Sequence, residues 1–189
     1  MPRERVAALH DAPRVEHAAE CTLGRVALDE VNSLAKPEFV ARLGGVFEHS
    51  PWIAERAWHK RPFRTVEELH RAMLDAVLTE DEKLRLARAH PELAGSETLT
   101  PNSSAEQARL GFTALSKAEL TEMAELNRSY REKFGFPCIV ALRLHAKRDS
   151  VLGEMKQRLL HNDRPTELAK AMEQIGHITR ARLVKIIGG

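Results

Sequence analysis

Along the chain, apolar residues return every three or four positions in one segment after another, the spacing of a helix with a single buried face. A first stripe begins at Leu28, Val31 and Leu34. Beyond Pro37, the residues Phe39, Leu43 and Phe47 fall four apart, so a second helix is expected to carry all three on one face. Ser50 before Pro51 has the form of an N-cap followed by proline in the first helical position, opening a helix through Ile53, Ala54 and Ala57. Thr65 with Glu68, Thr79 with Glu82, Ser103 with Glu106 and Ser116 with Glu119 all have capping-box spacing, in which a hydroxyl accepts from an amide three residues on and a carboxylate reaches back. These pairs predict four starts. They open a stripe of Val66, Leu69, Met73 and Val77, a helix ending near His90-Pro91, a helix through Ala108 and Leu110, and a long helix facing inward with Leu120, Met123, Leu126, Tyr130 and Phe134. Residues 94–102 read as a loop by composition. Val151, Leu152, Met155 and Leu159 mark a further helix, and Pro165-Thr166 lead into the last, with Leu168, Ala171, Met172, Ile175, Ile178 and Leu183 facing inward.

The pattern predicts an all-α, single-domain bundle of about seven to nine helices over residues 24–189, after an N-terminal extension of residues 1–23. One stretch breaks it. In Phe134-Gly135-Phe136-Pro137-Cys138-Ile139-Val140-Ala141-Leu142, Gly135 can end a helix in the left-handed conformation and Pro137 disfavours a helical Phe136. The apolar run after Pro137 is therefore expected to be extended. An extended segment with no sheet beside it leaves N–H and C=O groups that need other partners, and a ligand is one candidate.

Composition narrows the function classes. Lys and Arg number 29 against 27 Asp and Glu, a formal charge of only +2, with no block of like charge, so no nucleic-acid partner is expected. No apolar stretch approaches the roughly 20 residues of a membrane span, and the N-terminus lacks a signal-peptide core. The two cysteines, Cys21 and Cys138, lie far apart without ligand spacing and read as small apolar groups in a reducing, cytoplasmic setting.

Dinucleotide, Walker, HExxH and GxSxG signatures are absent, and no two of the nine histidines stand three or four residues apart. No cofactor and no metal is expected. What remains lies at helix ends. His90 beside Pro91 could present its ring to a cleft, although a histidine favoured by a helix C-terminus is the commoner case. Ser103 and Glu106 need no function beyond capping; the functional alternative has the helix N-terminus and Glu106 meeting a ligand, with Gln107 adding a donor and an acceptor. Arg182 and Arg143 could each pair with a ligand carboxylate, and equally could be snorkelling or ion-paired.

Taken in order, four segments resemble the OHCU decarboxylase family, whose substrate is 2-oxo-4-hydroxy-4-carboxy-5-ureidoimidazoline. They are Gly44-Gly45-Val46-Phe47-Glu48-His49-Ser50-Pro51-Trp52-Ile53-Ala54 with Arg61-Pro62-Phe63, then His90-Pro91-Glu92-Leu93-Ala94-Gly95, then Ser103-Ser104-Ala105-Glu106-Gln107, and Leu126-Asn127 leading through Tyr130 to Phe136-Pro137. The resemblance implies His90 as catalytic proton donor with Glu106 beside it, and a pocket lined by Pro91. It further implies substrate binding by Ser103, Ser104, Ala105 and Gln107, by Cys138, Ile139, Val140, Ala141 and Leu142 largely through main chain, and by Arg182 at a carboxylate. Also implied are a homodimer and the pathway neighbours uricase and hydroxyisourate hydrolase. Three positions depart from the family's usual form: a shorter loop between His90 and Glu106, Glu92 in place of Asp, and Cys138 in place of an aromatic residue. The shorter loop motivates an alternative ligand, another ureido or imidazole-type acid. The plain helical patterns also permit a non-catalytic protein-binding module, which would have no need for His90, Glu106 and the extended run to converge.

Overall fold

The computed structural model describes residues 26–188, so the N-terminal extension of residues 1–23 and Cys21 lie outside the described residues. Within them the chain is all-α, as the periodicity predicts. The helices are α1 (Leu28–Ser33), α2 (Lys36–Leu43), α3 (Pro51–Ala57), α4 (Val66–Leu74), α5 (Glu80–Arg88), α6 (Pro101–Arg109), α7 (Lys117–Phe134), α8 (Arg148–His161) and α9 (Arg164–Ile186). Short 3-10 turns at Trp58–Lys60 and Leu142–Leu144 complete the order.

Helix α9 is the axis of the bundle. Its 23 residues span about 34 Å at 1.5 Å per residue, and it packs against α4, α5 and α7. Leu168, Ala171, Ile175, Ile178 and Leu183 are buried along it, joined by Leu69 and Met73 of α4, Leu86 of α5 and Tyr130 and Phe134 of α7. The described ends of the chain meet beside it: Val26 N–H donates to Ile186 C=O at 3.0 Å and Gly188 N–H to Val26 C=O at 3.1 Å.

Local sequence explains most helix starts. Thr79 and Ser116 form full capping boxes with Glu82 and Glu119. Thr65 accepts from the Glu68 amide at 3.1 Å, but the Glu68 carboxylate turns to the Arg64 amide and guanidinium, so only half of that box forms. Ser50 marks the start of α3 without a side-chain cap.

Three expectations are corrected. Helix α2 stops at Leu43, and Phe47 is buried from the turn that follows, so the four-residue spacing continues past the helix that suggested it. Leu120 is 45% exposed, because the first turns of α7 project beyond the core that Met123 and Tyr130 reach. Ser103 and Glu106 are not a capping pair. The N-cap of α6 is Thr100, with Pro101 in the first helical turn, and Ser103 lies inside the helix donating its amide to the Thr100 hydroxyl at 3.3 Å. The same Thr-Pro start signal as at Ser50-Pro51 sits three residues upstream of the serine.

Helix α7 ends at Gly135, whose φ of 81° lies in the left-handed region. Residues 137–141 then run without regular structure before the 3-10 turn. A Cβ at Gly135 would meet only the Arg88 and Arg164 side chains at ordinary contact distances, so the glycine is required for its backbone and not for space. Gly135→Ala is therefore expected to lower unfolding stability by about 1 to 2 kcal/mol, the cost of a left-handed L-residue, read as a shift in the urea midpoint at constant m-value.

Candidate active site

The extended run answers its main-chain demand in two ways. Along an extended backbone the N–H and C=O of one residue point to one side and those of the next residue to the other. On the inward side, Ile139 C=O accepts from Arg158 Nη1 at 2.9 Å and Ala141 N–H donates to Gln174 Oε1 at 2.8 Å. Leu142 C=O accepts from Arg109. The intervening Val140 makes no main-chain hydrogen bond among the described residues, and it faces a cavity. The anchors are themselves built in. Arg158 is buried against Glu167, which also accepts from the Tyr130 hydroxyl and, at 2.8 Å, from Asn162 Nδ2. Burial pushes the Cys138 thiol up to about 12, so it forms part of the cavity wall and is no nucleophile near neutral pH.

Opposite the run, Arg182 of α9 is 2% exposed and gathers two carboxylates from distant segments. Its Nη1 meets Glu48 Oε2 at 2.8 Å and Val46 C=O at 3.4 Å. Its Nε and Nη2 form a fork on Glu106 at 3.1 and 2.9 Å, and Nη2 also reaches the Ser103 hydroxyl at 3.2 Å. All five guanidinium N–H groups are thereby engaged by protein acceptors. Glu48 accepts in addition from Thr100 Oγ1 at 2.6 Å and Ser103 Oγ at 2.9 Å. Burial alone would raise the Glu48 carboxyl, but those hydroxyls and the guanidinium outweigh it and hold it below the usual range.

His90 closes the third side. It is 7% exposed, and its Nδ1 lies 2.9 Å from Leu86 C=O, one turn back. A carbonyl only accepts, so Nδ1 carries the proton and Nε2 is the atom left to exchange one. Nε2 is buried with no hydrogen-bond partner among the described residues. Burial lowers the affinity of this imidazole for a proton, more than the Leu86 carbonyl and the nearby Glu48 raise it.

These elements surround one cavity. His90, Pro91, Ser103, Glu106, Gln107, Cys138, Ile139, Val140, Leu142 and Arg182 line it, together with Leu93 and Ile178. Three residues expected at the site do not line it. Ser104 is exposed, Ala105 faces a neighbouring cleft, and Ala141 is buried behind the run. Gln107 spends both ends of its amide on the loop after His90, Nε2 donating to Glu92 C=O at 3.0 Å and Oε1 accepting from Ala94 N–H at 2.9 Å. That loop holds Ala94 at φ 51°, and His49 at φ 45° follows Glu48. The described non-glycine residues with positive φ thus both adjoin the site, where strained backbone tends to concentrate.

Sequence reasoning missed Glu48, Thr100, Arg158 and Gln174. Glu48 left a signal, an acid directly after Val46 and Phe47 in a segment that must be buried, and Thr100 before Pro101 has the form of a helix start; Arg158 and Gln174 sit on helix faces with no distinguishing spacing. Convergence of His90, Glu106 and the extended run removes the ground for a non-catalytic module.

Comparison with known proteins shows the family. Residues 32–184 match the family model described as OHCU decarboxylase. The chain is 38% identical over 160 residues to 2-oxo-4-hydroxy-4-carboxy-5-ureidoimidazoline decarboxylase of Haloferax volcanii, covering 84% of this chain and 94% of that one. It is 37% identical over 161 residues to the uric acid degradation bifunctional protein of Bacillus sp. TB-90, covering 84% of this chain but only 32% of that protein. Among solved structures, an (S)-allantoin synthase superposes with a TM-score of 0.68 at 32% identity, over 86% of this chain and 54% of the other.

Two outcomes follow from the buried groups. Arg158→Met, which strands the Glu167 carboxylate, is expected to cost about 3 to 5 kcal/mol in chemical denaturation, the range for breaking one side of a buried ion pair. His90 titrates lower when folded than the roughly 6.5 of a free imidazole, so the unfolded chain binds the extra proton. Its contribution is complete above that value and is lost as pH falls toward the depressed folded pKa. The parent should lose stability more steeply than His90→Gln below about pH 6.5, by at most about 1.4 kcal/mol per pH unit; parallel curves would contradict a buried neutral ring.

Proposed function

The chain belongs to the OHCU decarboxylase family, and from that premise we propose how its residues release CO2 from 2-oxo-4-hydroxy-4-carboxy-5-ureidoimidazoline to leave (S)-allantoin in urate breakdown. It is a carboxy-lyase. The observation that carries the residue assignment is the buried, partnerless Nε2 of His90 facing the same cavity as Glu106 and the open main chain of Val140.

In this substrate the carboxylate sits on a ring carbon adjacent to a carbon–nitrogen double bond. When the bond to CO2 breaks, its electron pair forms a double bond between the two ring carbons and the former C=N pair moves onto nitrogen. The ring is its own electron sink, so no separate sink is needed. The hydroxyl proton then leaves as the carbonyl forms, while nitrogen and the adjacent carbon each gain a proton. Net consumption is one proton. Delivery of the carbon-bound proton from one face sets the handedness of the product.

His90 makes that delivery through Nε2. Burial keeps the ring neutral at rest, and an arriving anion raises its proton affinity, so it is charged only with substrate in place. Glu106, fixed by Arg182, accepts from the ureido or hydroxyl group. Ser103 and Gln107 position this wall and the loop bearing Pro91, while within residues 138–142 the open main chain of Val140 holds the ring edge. Substrate supply would come from uricase and hydroxyisourate hydrolase, a reading supported by the bifunctional uric acid degradation relatives. A cytoplasmic homodimer completes the proposal; sedimentation equilibrium would test the dimer.

The test generates the unstable substrate in place from urate with those two enzymes and follows circular dichroism of the allantoin formed. The parent should accelerate formation of the S enantiomer, and His90→Ala should reduce the rate by about 100-fold or more, the contribution of a positioned general acid. Racemic product at the spontaneous rate with the parent chain would defeat the proposal.

A further inference from the structure

The inner cavity poses an electrostatic problem. The substrate carries a carboxylate that is ionised at neutral pH, yet the charged groups lining or backing the cavity are Glu48, Glu106 and Arg182, which sum to one negative charge around a neutral His90. Arg182 has no N–H group left over for a ligand. Recruitment of an anion must draw on cations elsewhere.

A second cleft adjoins the first and shares Glu106, Leu142 and Ile178 with it. Three cations line this cleft: Arg109, Arg143 and Lys185. Arg109 is tied to main-chain oxygens, Leu142 C=O and, at 3.1 Å, His145 C=O, so its charge is held in place without being cancelled by an acid. Arg143 and Lys185 are exposed and form no ion pair among the described residues, and Glu106, the single acid among the cleft's described lining, already serves Arg182. The cleft is therefore cationic where the inner cavity is anionic.

We propose that Arg143 and Lys185, with Arg109 behind them, form a cationic mouth that captures the substrate carboxylate and guides the ureido ring inward, a role that rests on the decarboxylase reading. Charge-lined clefts raise association rates by roughly 10- to 1000-fold, an advantage that salt removes over the Debye length of about 10 Å at 0.1 M. A carboxylate held at the mouth leaves the ring to reach His90 and Val140.

The test uses two readouts. In the coupled assay at low ionic strength, Arg143→Ala with Lys185→Ala should lower kcat/KM by about 10-fold, chiefly through KM, and flatten its dependence on salt. Lys83→Ala, an exposed cation of α5 outside both clefts, controls for net charge. Separately, calorimetry measures binding of hydantoate, a ureido carboxylate, and of its neutral amide. The double variant should weaken hydantoate by about 10-fold and leave the amide unchanged. No binding of hydantoate by the parent, equal losses for both probes, or an unchanged salt slope would overturn the cationic mouth. A parent that binds hydantoate in this charge-dependent way but makes no (S)-allantoin would instead overturn the decarboxylase reading and leave the anion site standing.

Discussion

Burial of the Arg182 guanidinium is the constraint on which the rest of the site depends. A charge taken out of water must be paired and must have its hydrogen-bonding groups met, and a guanidinium presents five donors in a rigid fork. Meeting them requires the turn after α2 to deliver Glu48 and Val46, and α6 to deliver Ser103 and Glu106, onto one face of α9. Segments more than fifty residues apart are thereby fixed to a common point. Thr100 adds economy by capping α6 through its hydroxyl oxygen while its proton goes to Glu48, so the start of a helix and the placement of a carboxylate are one event.

Arg158 does for the opposite wall what Arg182 does for this one. It anchors Ile139 C=O from α8 and is neutralised by Glu167 of α9, the helix that also carries Gln174 to Ala141 and Arg182 to the carboxylates. Helix α9 thus sets the separation of the two walls. The long central helix is a stable frame, and the polar contacts it projects are bought with burial, which gives them fixed geometry.

Legibility in the sequence followed the range of the interaction. Helix starts marked by adjacent residues, such as Thr79 with Glu82 and Ser116 with Glu119, could be read because hydroxyl, amide and carboxylate lie within one turn. The stop at Gly135 was readable for the same reason, since a left-handed cap is a property of one residue. Ser103 misled because its spacing to Glu106 satisfies the capping rule while both side chains are claimed by a residue over seventy positions away. Arg158 and Gln174 have no local spacing that distinguishes them from solvated residues, and only the folded chain shows their partners. Leu120 failed from the other side: helical periodicity locates a face, but not where along its length the core ends.

The same polar architecture shapes the energetics of the proposed reaction. A carboxylate entering a cavity that already holds one net negative charge is repelled there, whereas the cationic mouth receives it favourably. As the bond to CO2 breaks, the negative charge leaves the carboxylate oxygens and spreads into the ring, toward a protonated Nε2 and the Val140 amide. Attraction to these two groups therefore rises along the reaction coordinate, and interactions that differ between ground and transition state are the ones that raise kcat. The engagement of Arg182 by Glu48 and Glu106 thus links folding to the site: it fixes the wall on which Glu106 stands.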